Sequence, residues 1–209
     1  MVRASSSAGY HRAGGGRNAR SNGVSGTNAV DVTAALCDPE RAAAVRRLVP
    51  LYRPRSIVYD RLTSLAAQLL DAPLALLTLV EPDRQFLVAS HGIPDHLYAA
   101  RQTPIQYSIC QFAVATGRPL VVADTADAPF LIDHPAVTEF GIGAYAGVPL
   151  VTGEGWPVGA LCVMDLATRE WNDYQMANLA FLARICMDEM RLAGLERRPG
   201  TSRPRWPDR

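Results

Sequence analysis

The chain has 209 residues, enough for one ordinary domain with tails or two very small ones, and with 48% hydrophobic and 20% charged residues it can build a packed core, which excludes wholesale disorder. All 21 basic residues are Arg; without Lys there is no Walker A lysine, no Schiff base and no kinase-type ion pair. Residues 1–30 and 191–209 each carry a net +4 and residues 31–190 carry −7, so the body lacks the clustered cations that nucleic-acid binding requires.

In chain order, residues 1–30 are Gly, Ser, Ala, Asn and Arg with little apolar content, and an arm to about residue 37 is expected to be flexible. Order is expected to begin where Asp38 caps a helix that has Pro39 at its first position and runs to about Val49, leading into a linker that ends near residue 53. A second helix, from about Pro54 to Leu70, places Val58, Leu62, Leu65, Ala66 and Leu69 on one stripe. Pro73–Val80 is a bounded apolar run that reads as a buried strand, and Glu81-Pro82-Asp83 turns it back into a strand over Arg84–Ser90.

After a Pro- and His-rich loop, Ser108 with Gln111 three residues later predicts a capping box for a short helix that stops at Gly117. Pro119–Ala123 reads as a strand, Asp124 as the cap of a turn, and Asp133-His134-Pro135 as the start of another short helix. Ala144–Val151 and Pro157–Asp165 are strands joined by Thr152-Gly153-Glu154-Gly155. Asn172 and Gln175 cap a long helix with Met176, Leu179, Ala180, Ala183, Cys186, Met187 and Met190 on one face. Five or six strands, mostly joined by hairpins, predict an α+β fold with a single antiparallel sheet and helices on its faces; the turns are too short for parallel crossovers.

Several of these segments together resemble GAF domains: Leu62–Leu70, Pro73–Val80, Ser108-Ile109-Cys110, Pro119–Asp124, His134–Val137, Tyr145–Leu150 and Gly159–Asp165. The resemblance covers about residues 55–192, with domain bounds of 54–193 and a tail over 194–209, and is strongest in the Gly-Val-Pro-Leu strand followed by Gly-x-Leu-Cys-Val-x-Asp. It implies a six-stranded antiparallel sheet between helices, and a sensory or regulatory module that binds small molecules or partner chains and often dimerises through its terminal helices. The chain departs from the family's specialised branches. The Lys-containing cyclic-nucleotide signature is impossible here, Cys110 is followed by Gln111 where bilin-binding members have His, and His134 stands where many relatives have Asn.

Cys110 is the most reactive candidate. At the second position of a capped helix its thiolate is favoured, so it is suited to sensing oxidants or electrophiles or to touching a ligand; the alternative is a small thiol packed between helix and sheet. Cys162 and Cys186 fall on core faces, and none of the four cysteines forms a CxxC pair. Asp124 and Asp165 end strands, where each either contacts a ligand or caps the next turn. Arg101, Tyr107 and Tyr145 lie in segments that, by the resemblance, border the ligand cavity. His91, His96 and His134 have no ligand spacing with Cys110, so neither metal nor cofactor is expected beyond an unidentified small ligand.

Ile57, Leu70, Phe181, Ile185 and Leu192 fall off the main helical stripes, which predicts a second contact surface and a homodimer through the terminal helices; wide-stripe packing in a monomer is the alternative. The longest apolar run is too short to span a bilayer and the N-terminus lacks a signal-peptide core, so a soluble, cytoplasmic chain with no membrane partner is expected. The expected function is a non-catalytic sensory or regulatory protein of signal transduction that binds a small ligand or a signalling partner. The alternatives are a redox sensor or methionine-sulfoxide-reductase-like enzyme using Cys110, and a ligand-free interaction module.

Overall fold

A computed structural model describes residues 30–52, 55–94 and 99–196. The expectations for residues 1–29, His96 and the tail beyond Glu196 lie outside these described residues. The elements are α1 (Val32–Cys37), α2 (Pro39–Tyr52), α3 (Ile57–Leu70), β1 (Leu74–Val80), β2 (Arg84–His91), β3 (Gln102–Pro104), α4 (Cys110–Thr116), β4 (Leu120–Val122), α5 (Pro135–Thr138), β5 (Ala144–Val151), β6 (Pro157–Asp165) and α6 (Asp173–Glu196). The strands form one six-stranded sheet in the order β3-β2-β1-β6-β5-β4, and every neighbouring pair is antiparallel. This is the α+β sheet expected from the hairpin spacing.

Because side chains alternate along a strand, the central strands feed two cores. On one face Ala75, Leu77, Leu79, Ala146, Val148, Leu161 and Val163 meet Ala44 and Val45 of α2 and the inner sides of α3 and α6. On the other, Leu76, Val80, Tyr145, Ala160, Cys162 and Met164 meet Leu36 of α1, Cys110 and Val114 of α4, and Ala136 of α5.

Several local expectations hold. Asp38 accepts hydrogen bonds from the Glu40 and Arg41 amides at 2.9 Å. Asn172 and Gln175 cap each other reciprocally at 2.9 and 3.0 Å. Strands β5 and β6 occupy the expected ranges.

Other expectations need correction. The arm expected to reach residue 37 contains α1, capped by Asp31 and held by buried Leu36. The guanidinium of Arg41, itself buried, donates to the Leu36 carbonyl at 2.6 and 3.1 Å and to the Val80 carbonyl at 2.9 Å, which ties α1 and α2 to the sheet. The residues before Ile105 that read as loop include β3, whose three residues pair with the outer edge of β2. On α3 the buried side is Tyr59, Thr63, Ala66, Ala67 and Leu70, while Val58, Leu65 and Leu69 are exposed. The small residues let α3 approach the sheet closely and leave the larger stripe outside. Leu70, expected on the second contact surface, is instead fully buried.

Candidate functional site

The site lies on the α4 side of the sheet. Strand β6 carries Cys162 between Leu76 of β1 and Gly147 of β5. Tyr145, two residues before Gly147 and on the same face, leans along β5 and occupies the space that a Cβ on Gly147 would need. Gly147 is thus required by the close approach of the ring. The Tyr145 hydroxyl reaches the Cys110 sulfur at 3.4 Å, and the Cys110 and Cys162 sulfurs are 3.5 Å apart. Tyr145, Cys110 and Cys162 are all buried.

Electrostatics separate the two thiols. The hydrogen bond from Cys162 stabilises the Cys110 thiolate, burial opposes it, and the Tyr145 hydroxyl and Thr78 assist; the result lowers Cys110 to about 7. Cys162 is raised well above the ordinary thiol range, first by its contact with Cys110 and then by burial. Burial and the neighbouring sulfurs also raise Tyr145, so its hydroxyl stays a donor.

The expected capping box at Ser108 does not form. Ser108 donates instead to Gln85 at 2.7 Å, and Gln85 donates to Thr103 at 2.9 Å. Both Ser108 and Gln85 are buried, and buried polar groups must find partners, so this link outcompetes the cap. Helix α4 therefore starts at Cys110, which is its first residue and not its second, and it has no side-chain cap.

Of the six candidate residues, Cys110 and Tyr145 are brought together and the other four are not joined to them. Arg101, with φ 49°, folds back on β2, donating to the Val88 carbonyl at 2.9 Å and lying 5.2 Å from the Phe86 ring centre. Tyr107 donates to the Glu139 carboxylate at 3.1 Å on the exposed rim. Asp124 accepts from the Ala126 amide at 2.9 Å, the capping alternative, and borders an open groove of about 740 Å³ beside β4 with Val121, Phe130 and Arg169. Asp165 caps the Ala167 amide at 3.1 Å and pairs with Arg169 at 2.9 Å.

Cys162 was the member that sequence reasoning missed. Its signal was positional, an inward-facing thiol on the strand opposite the small helix, and the same position describes a core residue. His134 caps α5 through Nδ1, which accepts from the Ala136 amide at 3.2 Å. His91 meets the Ser64 hydroxyl at 3.2 Å. Among the described residues, no three His, Cys, Asp or Glu side chains are grouped to hold a metal ion. Nor is any helix among them long and apolar enough to cross a membrane.

A family model for the GAF domain matches residues 54–189. A cyclic di-GMP phosphodiesterase of Pseudomonas aeruginosa is 34% identical over 149 residues, covering 70% of this chain and 24% of that protein. The chain thus spans about a quarter of the length of the curated relative it matches. Among solved structures, the GAF domain of an Acinetobacter phosphoenolpyruvate-protein phosphotransferase superposes with a TM-score of 0.56 at 13% identity, covering 76% of this chain and 98% of that one. A free methionine-R-sulfoxide reductase of Neisseria meningitidis superposes with 0.53 at 19% identity, covering 75% and 93%. These structural likenesses speak for the fold alone. With the family match spanning most of the described chain and its antiparallel sheet lying between two helical layers, this protein belongs to the GAF domain family.

Proposed function

We propose that this GAF domain is a non-catalytic regulatory module of cytoplasmic signal transduction, and that its output face is the outer surface of α3 and α6, which pairs with a second copy of the chain. The single observation that carries this reading is a pair of apolar stripes in which Leu62 and Ile185 rest partly on the core and the other members are exposed. Val58, Leu62, Leu65 and Leu69 on α3 follow a 4-3-4 spacing, and Tyr174, Phe181, Ile185 and Leu192 continue the pattern on α6, which packs beside α3. That is the spacing of a helix-bundle seam. Ile57 and Phe181 are each 62% exposed, and Leu69 and Leu192 are 42% and 56% exposed.

Half-exposed side chains of this size present on the order of 500 Å² of apolar surface per chain. Two copies would bury about 1,000 Å², the lower bound of a specific interface. The curated relative, a cyclic di-GMP phosphodiesterase, supports a place in signalling. On the α4 side of the sheet, Tyr145 fills the space beside Cys110, which favours interaction through the helices over a ligand lodged at that point.

Sedimentation velocity over a concentration series tests the reading. The expected species has twice the chain's 22.6 kDa mass. Leu65→Glu and Phe181→Glu, both at exposed sites, should give monomers that melt at the wild-type temperature. A wild-type monomer at the highest concentration would overturn the proposal.

A further inference from the structure

Cys110 and Cys162 are separated by 52 positions in the chain. They come from different elements, yet the fold brings their sulfurs to 3.5 Å and buries both. A disulfide is about 2.05 Å long, so closing the pair needs an approach of roughly 1.5 Å. One partner sits on the rigid centre of the sheet. The other begins a helix of seven residues that has no side-chain cap at its start and ends at Gly117 in the left-handed region. Because β6 is paired on both sides by β1 and β5, the approach falls to α4.

We propose that Cys110 and Cys162 form a dithiol redox site, in which a hydroperoxide oxidises Cys110 and Cys162 resolves it to a disulfide that staples α4 to β6. The steps balance. The Cys110 thiolate attacks one peroxide oxygen and the O–O bond breaks; the leaving alkoxide or hydroxide takes a proton, and Cys110 becomes a sulfenic acid. The Cys162 sulfur then attacks the Cys110 sulfur, and the S–O bond breaks. The hydroxyl leaves as water with the Cys162 proton. The two thiols together give two electrons to the peroxide.

The surroundings divide these roles. Hydrogen bonds from Cys162 and Tyr145 favour the thiolate on Cys110, making it the attacking sulfur, while Cys162 holds its proton until the second step. Because both sulfurs are buried, oxidant enters when α4 opens, and the reaction is slower than that of a free thiol. This proposal goes beyond the helix-face reading and stands whether or not the chain dimerises.

The test uses the full chain with Cys37→Ser, which removes the exposed thiol. The folded protein is treated with hydrogen peroxide near neutral pH, quenched, denatured, alkylated and weighed intact. Three alkyl groups are expected before oxidation, one after it, and three again after reduction. Trypsin, cutting after Arg101 and Arg169 but not before Pro119, releases residues 102–169, a peptide that holds Cys110 and Cys162 and neither other cysteine. The disulfide should be internal to that peptide.

Cys162→Ser, or Cys162→Ala should the first variant fail to fold, should leave Cys110 as a sulfenic acid that dimedone traps. Three alkyl groups surviving peroxide in the folded Cys37→Ser protein would overturn the proposal. So would a disulfide that uses Cys186.

Discussion

The Tyr145 hydroxyl is one of the donors that make Cys110 more acidic, and Tyr145→Phe isolates its share. The ring stays in place over Gly147, so packing is preserved, but the O–H donor 3.4 Å from the Cys110 sulfur is lost. A hydrogen bond to an ionised acceptor contributes about 1.5–3 kcal/mol. This bond is long and sulfur is a weak acceptor, so about 1.4 kcal/mol is expected, one pH unit. The Cys162 contact, the larger cause of the lowered value, remains, as does the burial that opposes it.

The Cys110 midpoint should therefore rise from about 7 to about 8. Thiolate absorbance across pH measures it, with Cys110→Ser subtracted to remove the other cysteines. Chemical denaturation should show a cost of about 0.5–1.5 kcal/mol, the ordinary net worth of one hydrogen bond. A midpoint that stays within a few tenths of a unit of the wild type would refute the assignment of Tyr145 as a thiolate donor.

Arg41→Met should destabilise the fold by about 2–4 kcal/mol, since it leaves the buried Leu36 and Val80 carbonyls without their donors; urea midpoints at unchanged slope measure this, and a loss under about 0.5 kcal/mol would mean that the cost of burying the charge had cancelled the bonds. His134 has its pKa lowered by burial, and its neutral ring accepts the Ala136 amide. The unfolded chain then takes up the proton first, so stability falls as pH drops below about 6.5, and the loss levels off once the folded protein is protonated too. His134→Asn keeps an acceptor for that amide and should flatten the acid side of the stability profile; an unchanged acid slope would show that the ring contributes nothing to it.

Local spacing determined much of this protein. Strands β5 and β6 were legible end to end, because two apolar runs flank a Gly-rich turn and nothing else competes for that pattern. The Asn172–Gln175 cap and the Asp38 cap were legible for the same reason: their partners lie two or three residues away. The short-range rules have a limit, and α3 marks it. Periodicity revealed the stripe of Val58, Leu62, Leu65, Ala66 and Leu69, but a stripe says nothing about which of its members meet the sheet. The fold turned Ala66, Ala67 and Thr63 inward, where small side chains allow close packing, and left Val58, Leu65 and Leu69 exposed.

Ser108 is the same lesson in polar form. A cap was available three residues along, and a buried Gln85 from 23 positions earlier took the hydroxyl instead. The pairing of Cys110 with Cys162 depends on three things beyond any window of neighbours: the β5–β6 register, the glycine that lets Tyr145 lie flat, and the point at which α4 begins. The sequence alone determined which residues could form strands, caps and a family pattern. Tertiary structure alone decided which distant groups would share one buried space, because burial makes a polar group or a thiol take the partner that packing supplies.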